Sequence, residues 1–311
     1  MTILVTGACG FIGSAIIKEL SSRYRYWKHK DSDKYILNII ALDCKNYDYS
    51  SIDDGEYYKN WCDIIVSKVD LNNKARVKSI IALYEPDIVI HAAGGLGNNK
   101  ESIGNSVCST SVLVEAIEEL YRENKTTILN ISSYLAASRL QFNSSPYAAS
   151  KIACEALINS LYSKYGGSIY NLRLTSVYGP GQHYGLIHTA FCGIITELPI
   201  IGSLYQQRDY IYIDDAATMI ANTAFSVDSC KLSDGGIITM PISTTNTINT
   251  YELYKLLENT CGKQFSIINT KKDFLVDYDI DLSVYNRYSN MISYHNRYTA
   301  LQNTYNTYKK F

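Results

Sequence analysis

Residues 6–13 read Thr6-Gly7-Ala8-Cys9-Gly10-Phe11-Ile12-Gly13, directly after the apolar run Ile3-Leu4-Val5 and directly before a segment with helical spacing. A strand that turns through glycines into a helix restricts the fold sharply. Gly7 permits the tight turn, Gly10 lets the backbone approach a bound group, and Gly13 lets the helix pack closely on the strand. The N–H groups and positive end of a helix opened by Phe11 and Ile12 then face the turn, where they suit a pyrophosphate. The loop predicts a βαβ unit that binds a dinucleotide.

The rest of the first half carries the same rhythm. Apolar runs at 36–42, 62–66, 87–91, 127–131 and 168–174 read as strands, and residues 12–20, 77–84, 112–120 and 147–165 as helices. Strands that are apolar almost throughout belong in a parallel sheet covered on both faces. The fold class expected is α/β, a Rossmann-like doubly wound parallel sheet with a smaller C-terminal substrate-binding lobe. After Gly179-Pro180-Gly181 the pattern loosens, which divides the chain approximately into residues 1–178 and an interwoven lobe of 179–311. A helix at 251–259 and a last one ending near Tyr308 lie in that lobe. The polar stretch 243–250 reads as a surface loop, and the charged, aromatic stretch 23–34 as a solvated helix end and loop.

Composition removes several classes of function. Lys and Arg total 29 against 30 Asp and Glu in 311 residues, a net charge of -1. A chain that grips phosphate backbones usually has a basic surplus, so no nucleic-acid partner is expected. The 8 cysteines form no CxxC pair, which argues for reduced thiols in a cytoplasmic protein and against a metal site. No apolar run is long enough to span a membrane, and a strand starting at Ile3 leaves no room for a signal peptide.

Asp43 ends the second strand. A carboxylate there can accept hydrogen bonds from the adenosine ribose hydroxyls and repels a 2′-phosphate, which favours NAD over NADP. Tyr147 and Lys151, four residues apart, share one helix face. A phenol is a weak base at neutral pH, and a nearby ammonium favours its phenolate. Ser133, at the end of a strand, can steady a reacting oxygen, with Ser132 as its neighbour and alternative. His91 reads as a hydrogen-bonded histidine at a strand end. Arg208 offers planar, bidentate donors to a diphosphate, or a salt bridge to Asp209 or Asp214.

Six segments, taken in order, resemble the extended short-chain dehydrogenase/reductase family, the nucleotide-sugar epimerases, dehydratases and reductases. They are the glycine spacing Gly7-x-x-Gly10-x-x-Gly13, Val69-Asp70-Leu71, His91-Ala92-Ala93-Gly94, Tyr147-x-x-x-Lys151, residues 177–182 and residues 208–215. The resemblance implies bound NAD, with Asp70 and Leu71 beside the adenine and Ala92, Ala93 and Gly94 along the cofactor. It implies Ser133, Tyr147 and Lys151 as the catalytic set and a nucleotide-diphosphate sugar as substrate. Ser176 stands where relatives usually carry a substrate-contacting asparagine, and Ile201 reads either as lining of the nucleobase pocket or as plain core. Relatives also commonly form homodimers through the helix carrying Tyr147 and its neighbour.

Two departures bear on the reaction. Ser133 is followed by Tyr134-Leu135, where 4,6-dehydratases carry an acidic pair that supplies the acid and base for water loss. Residues 91–110 and 133–147 are shorter than in most relatives. The reading expected first is an epimerase that oxidises a sugar hydroxyl and returns the hydride to the other face. The alternative is a 4-ketoreductase using the same residues once. A 4,6-dehydratase and a non-catalytic NAD-sensing module come after these.

Overall fold

The glycine loop joins strand β1 (Thr2–Thr6) to helix α1 (Phe11–Lys30) in the computed structural model. The alternation continues through β2 (Leu37–Asp43), β3 (Cys62–Lys68), α2 (Lys74–Tyr84), β4 (Ile88–His91), α3 (Lys100–Arg122) and β5 (Thr127–Ser133). A 3-10 turn at Tyr134–Ala136 precedes α4 (Pro146–Tyr165) and β6 (Ser168–Leu174). Beyond these come β7 (Ser176–Tyr178), α5 (Leu186–Phe191), β8 (Glu197–Ile200), β9 (Gln207–Tyr212) and α6 (Ile213–Ser229). The chain ends with β10 (Gly236–Ile242), β11 (Thr247–Asn249), α7 (Thr250–Cys261), β12 (Ser266–Asn269) and α8 (Arg297–Tyr308). The structure describes residues 1–30, 37–45, 62–95, 100–123, 125–137, 145–192, 197–200, 207–229, 235–269 and 294–309.

The main sheet runs β10-β6-β5-β4-β1-β2-β3. Pairings β1–β2, β2–β3, β1–β4 and β4–β5 are all parallel. This order reverses direction between β1 and β4, the switch point outside which doubly wound sheets bind ligands. Consecutive residues Ile3, Leu4 and Val5 are all fully buried, as are Ile39 and Ile40, so both faces of the sheet are covered. One face packs Val77, Ile80 and Ile81 of α2, Leu113 and Ile117 of α3, and Ile158 and Leu161 of α4. Helix α1 buries Ile16, Ile17 and Leu20. Local signals set the helix ends. Asn73 caps α2, and Ser145 caps α4 ahead of Pro146 in its first turn.

Two compact units divide the chain. The first takes Met1–Ala136, Ser144–Arg173 and Ile220–Met240, and the second mainly Leu174–Met219 and Pro241–Phe311. In the second, β11-β9-β7 form a small sheet and β12 pairs with β8 in parallel. The carboxylate of Asp209, fully buried, accepts hydrogen bonds from the Thr175, Ser243 and Thr244 hydroxyls and from the Thr244 N–H.

Two expectations are corrected. Helix α3 begins at Lys100, not near residue 112. Its first turns carry Ser102, Gly104, Asn105 and Ser106, whose small polar side chains conceal the helical period. The stretch 23–34, read as helix end and loop, is the end of α1 as far as Lys30, and residues 31–34 lie outside the described residues. Residues 243–250 are not a surface loop. Ser243 is buried on Asp209, and Thr247–Asn249 pair antiparallel with β9, because a buried carboxylate satisfies the polar side chains that the pattern placed in water.

Candidate active site

The strand ends of the first unit gather the expected cofactor residues. Gly7 has φ +67°, and a Cβ there would stand 2.7 Å from the backbone of Ala93, so the turn after β1 lies directly on the end of β4. At Gly13 an added Cβ would come 2.1 Å from the Gly7 carbonyl oxygen. Only glycine permits either approach. A Cβ at Gly10 would meet nothing but the Gly7 oxygen, at 3.1 Å, and otherwise open space. The loop is thus closed beneath and open above, a cradle that fits a pyrophosphate over the Phe11–Ile12 helix start.

Asp43 sits at the end of β2 as expected. Its Oδ2 accepts the Cys9 N–H at 2.9 Å and its Oδ1 the Lys45 N–H at 2.9 Å. Asp43 therefore braces the glycine loop and keeps lone pairs for ribose hydroxyls. The Cys9 thiol, partly buried beside this carboxylate, is pushed up to about 11, by burial first and by the Asp43 charge second. Asp70 is exposed after β3, and its Oδ1 accepts the Asn72 N–H at 2.9 Å. The Leu71 side chain packs into the hydrophobic core. Gly94 is exposed at the end of β4, and a Cβ on it would stand 3.4 Å from Lys151 Nζ.

His91 is fully enclosed and links this edge to α3. The Thr110 hydroxyl donates to the Ser106 carbonyl at 2.7 Å and accepts from His91 Nε2 at 3.0 Å. Nδ1 then accepts from the Thr6 hydroxyl at 2.8 Å, and Thr6 Oγ1 in turn accepts the Ala93 N–H at 3.3 Å. The Ser106 hydroxyl also accepts the Gly95 N–H at 2.8 Å. Burial, with the Lys151 ammonium second, pushes His91 down to about 3, so the ring is neutral. This is the hydrogen-bonded histidine that its strand-end position implied, and it holds residues 92–95 in place.

Tyr147 lies in the first turn of α4, directly behind Pro146 and the Ser145 cap. Lys151 Nζ is 5.9 Å from the Tyr147 ring centroid and donates to the Ile131 carbonyl at 3.0 Å. Ser133 is nearly buried at the end of β5, its Oγ accepting the Leu135 N–H at 3.2 Å. Tyr134 is buried and Leu135 half-buried in the 3-10 turn, so no carboxylate occupies the two positions after Ser133. Ser132 is buried differently. Its hydroxyl donates to Glu155 Oε1 at 2.5 Å, and Arg173 binds the same carboxylate through Nε (2.9 Å) and Nη2 (2.7 Å). Sequence reasoning passed over Glu155 and Arg173, although the spacing Tyr147, Lys151, Glu155 repeats every four residues along one face.

Of the expected substrate residues, Ser176 and Arg208 belong to the second unit. Ser176 on β7 is opposite Tyr210 on β9, and Arg208 is two residues before Tyr210, so the three share a sheet face. Asp209 points the other way, onto its hydroxyl partners. Ile201 lies outside the described residues. Among the described residues no three His, Cys, Asp or Glu side chains gather as a metal-ligand set, and no helix is long and apolar enough to cross a membrane.

Comparison with known proteins matches residues 3–229 to the model of the NAD dependent epimerase/dehydratase family. A UDP-glucuronate 4-epimerase of Thermodesulfobacterium geofontis is 25% identical over 302 residues, covering 90% of this chain and 85% of the relative. A dTDP-glucose 4,6-dehydratase of Haemophilus influenzae is 25% identical over 244 residues, 69% of this chain and 68% of the relative. Among solved structures, the UDP-glucose 4-epimerase of Thermotoga maritima, determined with UDP-glucose, superposes with a TM-score of 0.76 at 18% identity. That match covers 100% of this chain and 99% of the other.

Proposed function

The chain belongs to the NAD-dependent epimerase/dehydratase family of nucleotide-sugar enzymes, and within it we propose that this protein is an epimerase, inverting a hydroxyl-bearing carbon of a nucleotide-diphosphate sugar. The observation that carries the choice is the pair Tyr134-Leu135. Loss of water from a sugar needs one group to protonate the departing hydroxyl and another to take the neighbouring carbon's proton. A buried tyrosine and a half-buried leucine after Ser133 supply no such carboxylate pair, whereas epimerisation does not need one.

The cradle at Gly7, Gly10, Phe11, Ile12 and Gly13 would hold the pyrophosphate of NAD, and Asp43 the adenosine ribose. Asp70 and Leu71 would flank the adenine, with Ala92, Ala93, Gly94 and Lys151 along the nicotinamide end. When bound, the dinucleotide supplies the acceptor and donor of hydride. Tyr147 takes the proton from the sugar hydroxyl as the carbonyl forms and returns it afterwards. Lys151, anchored on the Ile131 carbonyl, holds its Nζ 5.9 Å from the centre of the phenol ring. The Ser133 hydroxyl donates to the same sugar oxygen and steadies the charge that develops there. In the second unit, Arg208 would pair with the substrate diphosphate, and Ser176 and Ile201 would contact the substrate. We further propose a homodimer formed through α3 and α4, where Ala149, Ile152 and Ala156 leave an exposed strip of small and apolar side chains.

Replacement of Tyr147 by Phe tests the assignment, since the ring stays and the proton-transferring oxygen goes. Turnover should fall by about 10²–10⁴-fold while NAD affinity stays within about threefold. Turnover within about tenfold of wild type would assign proton transfer elsewhere.

A further inference from the structure

Helix α4 meets the sheet through a polar stripe as well as an apolar one. Tyr147, Lys151, Glu155 and Asn159 follow one another at four-residue intervals. Three of them are hydrogen-bonded to β5 or β6. Lys151 Nζ donates to the Ile131 carbonyl at 3.0 Å. Glu155 accepts from Ser132 and holds Arg173 of β6 in a two-point ion pair. Asn159 accepts from Asn171 at 3.0 Å, and Asn171 accepts from Asn130 at 2.9 Å. Glu155, Ser132, Asn130 and Asn171 are all buried. Apolar side chains of similar volume would often fill such positions at equal or better stability. Directional bonds to strand atoms add something that an apolar face does not. They define one offset of the helix along the strand, since a slip of one residue, about 1.5 Å, breaks all of them.

We propose that Glu155, held by Arg173, is a positioning residue that acts through Ser132, and that this grip sets Ser133 against Tyr147 and Lys151. Two neighbouring residues of β5, Ile131 and Ser132, are fastened to the helix that carries the phenol and the ammonium, and Ser133 is the next residue in the chain. The adjacent serines divide the labour. The Ser132 proton is committed to Glu155, whereas among the described residues Ser133 Oγ accepts the Leu135 N–H at 3.2 Å and keeps its own proton to donate. The proposal rests on the catalytic reading of Ser133, and the test separates the two.

Glu155 substitutions leave the half-buried Arg173 without this partner and threaten folding, so the decisive variant is Ser132→Ala, which keeps the ion pair. Steady-state kinetics are measured for the wild type, Ser132→Ala, Ser132→Thr, Ser133→Ala and the double alanine variant, on the nucleotide sugar that the wild type turns over. Ser132→Ala should lower kcat about ten- to hundredfold, the value of a hydrogen bond to a charged group, with KM and NAD affinity within about twofold. Ser132→Thr should recover most of it. In the Ser133→Ala background the same change should cost less than about threefold, because a residue that acts through Ser133 has nothing left to place. Amide exchange across residues 127–136 should quicken in Ser132→Ala while that of β1 stays unchanged. An unaltered kcat, equal losses in both backgrounds, or unaltered exchange overturns the proposal. If Ser133→Ala itself leaves turnover intact, the catalytic reading fails instead, and the exchange measurement alone judges the grip.

Discussion

At the scale of single residues, the groups proposed to touch the reaction were legible and those that hold them were not. Gly7, Gly13, Tyr147 and Lys151 announce themselves because their chemistry requires a particular residue at a particular spacing. Glu155 and Arg173 lie 18 residues apart in the sequence and meet only once α4 has folded back onto β6. His91 falls between these cases. Its strand-end position implied a satisfied ring, but the partners, Thr6 and Thr110, come from β1 and α3 and are invisible to local pattern. Its neutral burial has a measurable consequence. The folded chain refuses a proton that the unfolded chain binds below 6.5, so stability is fully present above that value and is lost as pH falls toward 3. Between pH 7 and 5.5 histidines titrate and carboxylates do not. Over this window the thermal midpoint of the wild type should fall more steeply than that of His91→Gln, in which position 91 carries no ring to protonate. Parallel slopes would show that His91 does not carry the pH dependence.

At the scale of elements, strands and apolar helices followed from periodicity, and polar helical faces did not. The first turns of α3 were hidden because Ser102, Ser106 and Thr110 are there to hydrogen-bond, not to fill a core, and because Gly104 weakens the helical signal. A Cβ at Gly104 would meet nothing within 4 Å, and the residue lies inside α3, past its first turn. Nothing in the described packing therefore requires glycine there. Gly104→Ala should stabilise the protein by about 0.5–1 kcal/mol through the loss of backbone freedom in the unfolded chain. Calorimetry should show a midpoint raised by about 1–3 °C. A lowered midpoint would mean that α3 packs at this position against something, and that glycine is retained for that contact. The polar stretch 243–250 teaches the same lesson in the second unit, where Asp209 draws Ser243 and Thr244 inward.

At the scale of the whole molecule, the fold was readable because a parallel doubly wound sheet needs buried strands, and apolar runs separated by helices specify little else. The family match ends at residue 229, and beyond it the sequence offered the two helices now seen as α7 and α8 and a loop at 243–250 that is partly strand. The net reaction is less legible than the fold, because the roles proposed for Ser133, Tyr147 and Lys151 serve hydride return and hydride release alike. Stoichiometry distinguishes them. An epimerase is redox-neutral over each cycle, and the bracing of the glycine loop by Asp43 suits a cofactor retained from one turnover to the next. Purified protein with no added nucleotide cofactor should therefore be incubated with UDP-glucose, UDP-glucuronate and dTDP-glucose and followed by proton NMR and by absorbance of the reduced nicotinamide. One of these sugars should approach an equilibrium mixture with its epimer at constant reduced-nicotinamide absorbance if the protein is an epimerase. Turnover that appears only with 4-keto sugars and consumes one reduced cofactor per product would contradict it.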